Sequence, residues 1–229
     1  MQINQNLEQI QQKINQSCAR ANRSVSDVHI VAVTKSVSIE RTEEALLSGL
    51  KHLGENRPEE MLSKQEAISI PANWHYIGSL QTRKVKQVIN NINVLHSLDR
   101  MSLAEEIQKR ASNVIDCFVQ VNVSAEDSKH GIEPEDVEAF IESLKDYDKI
   151  RVIGLMTMAP NTVDEYVIRQ VFKSLKTLQM KISEKNYKHA PCSELSMGMS
   201  NDYEIAVEEG ATYVRIGTAL VGEESEDLT

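Results

Sequence analysis

Eight short apolar runs, rich in β-branched residues and separated by segments of helical period, constrain this chain more than any other feature. The first, HIVAVT at 29–34, is nearly all apolar, as a strand covered on both faces should be, and SIERTEEALLSGL at 38–50 follows with helical spacing. The alternation continues through HLGEN, WHYIGS, VLHSL, IDCFVQVNV, IRVIGLMTM, SELSMG and TYVRIG, with helices expected near 57–68, 81–91, 101–112, 134–145, 163–184 and 201–209. Eight strands in series, joined by right-handed crossovers, predict an α/β fold closed as a (β/α)8 barrel. Upstream, Ile3, Leu7, Ile10 and Ile14 repeat at helical spacing, so 4–21 reads as an amphipathic helix. No helix-length segment follows the eighth strand, and the N-terminal helix is expected to cover that gap in the outer ring. An open doubly wound sheet is the alternative; it usually carries G-x-G-x-x-G after its first strand, where this chain has TKSVSIE.

Length and charge narrow the partners. With 229 residues, 41% of them apolar, the chain has the usual size of one such barrel, and residues 1–229 are expected to form a single domain. The net charge of -9, from 34 acidic and 25 basic residues without a basic run, argues against nucleic acid. An anionic small ligand remains compatible, because a few local N–H donors bind phosphate whatever the distant charges are. Cys18, Cys117 and Cys192 are an odd number without C-x-x-C spacing, which argues against disulfides and zinc and fits a reducing cytoplasm. The six histidines show no i, i+4 pairing, so no metal site is expected. MQINQNLEQIQQKI has no signal-peptide pattern, no apolar stretch approaches a membrane span, and the tail EESEDLT is expected to fray.

In a barrel, functional residues sit at the C-terminal ends of strands and in the loops beyond. Lys35 stands at the end of the first strand, where an ammonium loses hydration; that favours the neutral amine, which can attack an aldehyde and form an imine. Taken alone, Lys35 reads as a lysine that snorkels to solvent, and its partners must shift that reading. Barrels often bind phosphate after strands seven and eight. Here SMGMSNDYEIAVEEG offers Gly198 for close approach and Ser200 as the N-cap of a helix, and RIGTAL offers Gly217 and the Thr218 hydroxyl. Either glycine alone reads as a turn residue. Arg215 shares the face of Gly217 by the period of two, and spacing does not say whether that face is the inner one. Asn56 fits a helix cap as well as a ligand contact, and His75 fits a satisfied core histidine.

The stretches VAVTKSVS, HLGENRPEE, WHYIGSLQTRK, HSLDR, QVNVS, KHGI, GLMTMAP and LSMGMSNDYEIAVEEGATYVRIGTALVG together carry a resemblance that covers nearly the whole chain. The chain resembles the pyridoxal 5'-phosphate (PLP) homeostasis proteins of the YggS/PROSC family. That resemblance implies a fold-type III barrel similar to the N-terminal domain of alanine racemase, with Lys35 as the Schiff-base lysine. It implies that Ser200, Gly217 and Thr218 hold the phosphate, that Arg215 faces the pyridine nitrogen, and that Asn56, Met156, Ser196 and Met199 line the pocket. Two departures stand out: Ser79 and Arg83 interrupt the usual IGPLQ-N-K pattern, and Arg57-Pro58 replaces the commoner Tyr-Val. The implied function is binding of PLP in cytoplasmic vitamin B6 homeostasis, with delivery to PLP-dependent apo-enzymes, by a monomer that is not itself an enzyme. A PLP-dependent amino-acid racemase is the alternative; it needs a second base on the ring face opposite Lys35, which racemases take from an additional β-domain. A Schiff-base aldolase would share the lysine and the phosphate loops but would be colourless. Lys84 and Lys129 are expected to be solvated surface lysines.

Overall fold

All eight expected strands form, pair in parallel in chain order, and close when the eighth returns to the first. The computed structural model describes residues 2–124 and 130–222, so Lys129 and the acidic tail lie outside the described residues. The strands are β1 (His29–Val33), β2 (His52–Glu55), β3 (Asn73–Tyr76), β4 (Val94–Leu98), β5 (Ile115–Gln120), β6 (Ile150–Met156), β7 (Glu194–Ser196) and β8 (Tyr213–Ile216). Around them run α1 (Gln2–Arg20), α2 (Ile39–Leu47), α3 (Pro58–Ala67), α4 (Val85–Val88), α5 (Met101–Arg110), α6 (Val137–Ser143), α7 (Glu165–Ser183), α8 (Tyr203–Glu208) and α9 (Thr218–Val221).

A parallel strand flanked by helices must bury both faces, and the strands are apolar for that reason. The main apolar cluster lies between strands and helices, where Leu53, Leu95, Val119, Leu155 and Val214 meet the inner stripes of the helices. A second, small cluster of Val94, Phe118 and Met156, with Tyr213 packed against it, comes from β4, β5, β6 and β8 and fills part of the lumen. The N-terminal helix does close the ring. Ile3, Leu7, Ile10 and Ile14 are buried, Asn6 Nδ2 donates to the Leu220 carbonyl at 2.9 Å, and Lys13 and Arg20 pair with Glu204 and Glu208 at 2.9 and 2.6 Å.

Two expected helices differ. The segment 81–91 breaks into 3-10 turns on either side of the four-residue α4, because Val85, Val88 and Ile89 are β-branched and Asn90 and Asn91 favour turns. The helix expected at 201–209 begins only at Tyr203. Among the described residues no helix is long and apolar enough to cross a membrane.

Candidate functional site

The C-terminal ends of the strands surround a cavity of about 1170 Å³. Lys35 reaches it from β1, Asn56 from β2 and Met156 from β6. Met199 and Ser200 border it after β7, and Arg215, Gly217 and Thr218 along β8. The ninth expected residue, Ser196, is fully buried and sits behind Arg215 rather than on the wall.

Lys35 occupies the turn one residue past the buried Thr34. The strand mouth was expected to strip water from this side chain. Lys35 is instead exposed, because the turn carries it beyond the ladder into a wide opening. Its anchor is rigid: Thr34 donates Oγ1 to Glu55 at 2.6 Å and accepts from the Lys64 ammonium at its carbonyl. Next to Glu55, Asn56 is held by its neighbours. Its carbonyl accepts from the Tyr76 hydroxyl at 2.8 Å, and a Cβ on Gly78 would stand 2.7 Å from Asn56 Cβ, so only glycine fits there. Asn56 does not cap α3; Arg57 occupies the N-cap position, and Pro58 at N1 needs no N–H partner.

The loops after β7 and β8 meet through one hydrogen bond, Gly217 N–H to Ser200 Oγ at 3.3 Å. The expected role of Ser200 as N-cap is corrected, because the N-cap of α8 is Asp202. Asp202 Oδ1 turns back to accept the Met199 N–H at 2.5 Å, which inserts an extra turn before the helix and frees Ser200 to point its hydroxyl at β8. Gly217 is the N-cap of α9, and its carbonyl accepts from the Leu220 and Val221 N–H groups, so the Thr218 and Ala219 N–H groups are the ones without intrahelical acceptors. Burial pushes the Asp202 carboxyl above its ordinary range, against the opposing pull of the Met199 N–H and the Arg215 charge.

Arg215 lies on the inner face, 5% exposed, which resolves the choice its spacing left open. Nη1 donates to Ser196 Oγ at 2.5 Å and Nη2 to the Thr157 carbonyl at 3.1 Å. Burial lowers its pKa to about 10, opposed by Asp202, and the guanidinium remains charged at neutral pH.

One cavity thus gathers a primary amine, hydroxyl and N–H donors from two adjacent loops, and a fixed cation. Asn56 adds a buried Oδ1 with no hydrogen-bond partner among the described residues. An aldehyde carrying a phosphate and a polar ring matches this donor set. A family model described as alanine racemase, N-terminal domain, matches residues 5–225. Over 221 residues the chain is 41% identical to the pyridoxal phosphate homeostasis protein of Aquifex aeolicus, across 95% of this chain and 96% of the relative. The chain belongs to the pyridoxal phosphate homeostasis protein family. Among solved structures, PipY of Synechococcus elongatus with PLP bound is similar at a TM-score of 0.83 and 29% identity, over 96% of this chain and all (100%) of that one. An alanine racemase from Clostridium difficile shares the fold at a TM-score of 0.74 and 17% identity; the match covers 99% of this chain and 57% of the racemase.

Sequence reasoning about this member of the homeostasis family missed three features of the site. Gln120 and Asp202 line the cavity, and His96 forms part of its buried support. Gln120 and His96 follow from the period of two once the register is known; Asp202 sits in a loop that no period describes. Of the departures from the family pattern, Ser79 is on the cavity wall, whereas Arg57 points away to Glu60 and Arg83 to Gln81. Lys84 pairs with Glu59 at 3.1 Å.

Proposed function

We propose that the chain is a PLP-binding protein, one barrel domain over residues 1–229, that holds the cofactor through Lys35 and acts in cytoplasmic vitamin B6 homeostasis. The single observation that carries this reading is that Lys35, Arg215 and the Ser200, Gly217 and Thr218 loops border one cavity at the C-terminal end of the barrel. The names of the relatives and the PLP-bound PipY structure support it.

In this reading the Lys35 amine engages the aldehyde, and Ser200 Oγ, Thr218 and the N–H groups at the start of α9 take the phosphate. Arg215, backed by Ser196, stands opposite the ring nitrogen, and Asn56, Met156 and Met199 fix the ring's surroundings. Bound PLP supplies an electron-withdrawing ring, and a guanidinium facing its nitrogen can neither donate the proton of an acid partner nor accept one, which leaves the ring a weak electron sink. The wide mouth does not exclude water from Lys35, and exposed Met158, Val163 and Met199 leave its edge free for a recipient. These features support a non-catalytic carrier that passes PLP to apo-enzymes, which we read as a monomer.

Visible spectra of the purified protein with and without added PLP test the cofactor, and assays with free amino acids test the carrier role. A yellow protein that racemises and decarboxylates nothing is the expected result. Turnover at ordinary enzyme rates, about 1 s⁻¹ or more, would overturn the carrier reading.

A further inference from the structure

Three histidines on successive strands form a continuous chain through the lumen that ends at the cavity floor. His52 Nδ1 stands 2.8 Å from His75 Nε2, His75 Nδ1 stands 2.8 Å from His96 Nε2, and His96 Nδ1 stands 2.8 Å from Ser196 Oγ. The strand register builds the climb. Gly54 pairs with His75 and His75 with Val94, so each ring lies two residues further along than the ring on the strand before. His75 and His96 are fully buried, with Phe118 4.6 Å from the His96 ring centroid and Tyr213 5.8 Å from that of His75. Burial drives the His75 pKa down to about 3 and that of His96 well below the ordinary value, so both rings are neutral at physiological pH.

The direction of the chain follows from its end. A guanidinium only donates, so Ser196 Oγ must accept from Arg215. The single serine hydrogen then goes to His96 Nδ1, which must be the bare nitrogen. His96 therefore carries its hydrogen on Nε2 and donates to His75 Nδ1, and His75 likewise donates from Nε2 to His52 Nδ1. The opposite order would leave the serine hydrogen facing only donors in a buried site, which native structures avoid.

We propose that His52, His75, His96 and Ser196 are positioning residues: Arg215 locks all three rings as Nε2–H tautomers, and the locked chain holds the guanidinium at the cavity floor, where it meets the bound ring. The last clause rests on the PLP reading above; the tautomer order does not.

Two experiments separate these parts. Long-range ¹H–¹⁵N correlation of the histidine-labelled protein without PLP should show Nε2–H tautomers for His75 and His96, and Ser196→Ala should release that preference. An Nδ1–H or charged His96 in the wild type, or no response to Ser196→Ala, would overturn the proposal. With PLP added, His96→Leu should shift the visible band and weaken binding about tenfold, the scale of one hydrogen bond to a charged group. His96→Gln, whose amide can accept from Ser196 and donate to His75, should restore both. Unchanged band and affinity in His96→Leu would refute the positioning role. If His96→Leu does not fold, the wild-type and Ser196→Ala spectra decide the proposal. Failure of the wild type to take up PLP would instead sink the cofactor reading and leave the tautomer result standing.

Discussion

Lys64 and Glu55 form a buried ion pair beneath the turn that carries Lys35, with the ammonium 2.9 Å from Glu55 Oε1. Glu55 Oε2 has no hydrogen-bond partner among the described residues, so the carboxylate depends on Lys64 and Thr34. Lys64→Met should therefore cost about 3–5 kcal/mol in urea unfolding, because it strands a buried charge. The double variant Glu55→Leu, Lys64→Met should recover most of that loss. A double variant destabilised by the sum of the two single-variant losses would show that the pair is not coupled.

Gly198 holds the seventh loop at φ +93, and a Cβ there would stand 2.5 Å from Ala206 Cβ. Gly198→Ala should lower stability by roughly 1–3 kcal/mol and weaken PLP binding, since the loop that presents Ser200 must shift. Gly217→Ala meets nothing closer than Val33 Cβ at 3.6 Å and should keep the melting temperature of the wild type. Thermal melts and PLP titrations of the two variants check this contrast.

The lumen histidines make the fold sensitive to acid. Burial holds the His75 pKa at about 3 and that of His52 at about 4, below the unfolded value of 6.5. Above pH 6.5 the rings are neutral in both states and nothing is lost. As the pH falls below 6.5 the unfolded chain takes up protons that the native barrel refuses, so stability declines until the folded values are reached. His75 alone accounts for a loss on the order of 2 kcal/mol by pH 5. Urea unfolding between pH 7.5 and 5 should show this decline, and it should shrink in His75→Gln.

The barrel was legible because its strands are buried on both faces and its helices carry a 3.6-residue period, two signals that survive without tertiary information. Lys35, Gly217 and Thr218 were legible for a topological reason, since they follow strand ends. What spacing could not provide was register and loop direction. Arg215 lies on the inner face, where Ser196 of the adjacent β7 and the Thr157 carbonyl just past β6 accept from it, and Asp202 displaces Ser200 from the cap by accepting a backbone N–H. Dehydration of Lys35 failed as an expectation because the turn lifts it one residue beyond the ladder. The histidine chain was invisible for the same reason as Arg215: its members lie 21 to 23 residues apart and meet only through strand pairing.

Borohydride reduction of the protein mixed with PLP, followed by peptide mapping, tests most directly whether Lys35 is the residue that holds the cofactor. Phosphopyridoxyl on Lys35 is the predicted result, with Lys35→Ala losing both the label and the yellow colour while retaining weaker, phosphate-anchored binding. A label found reproducibly on another lysine, with Lys35 unmodified, would contradict the account.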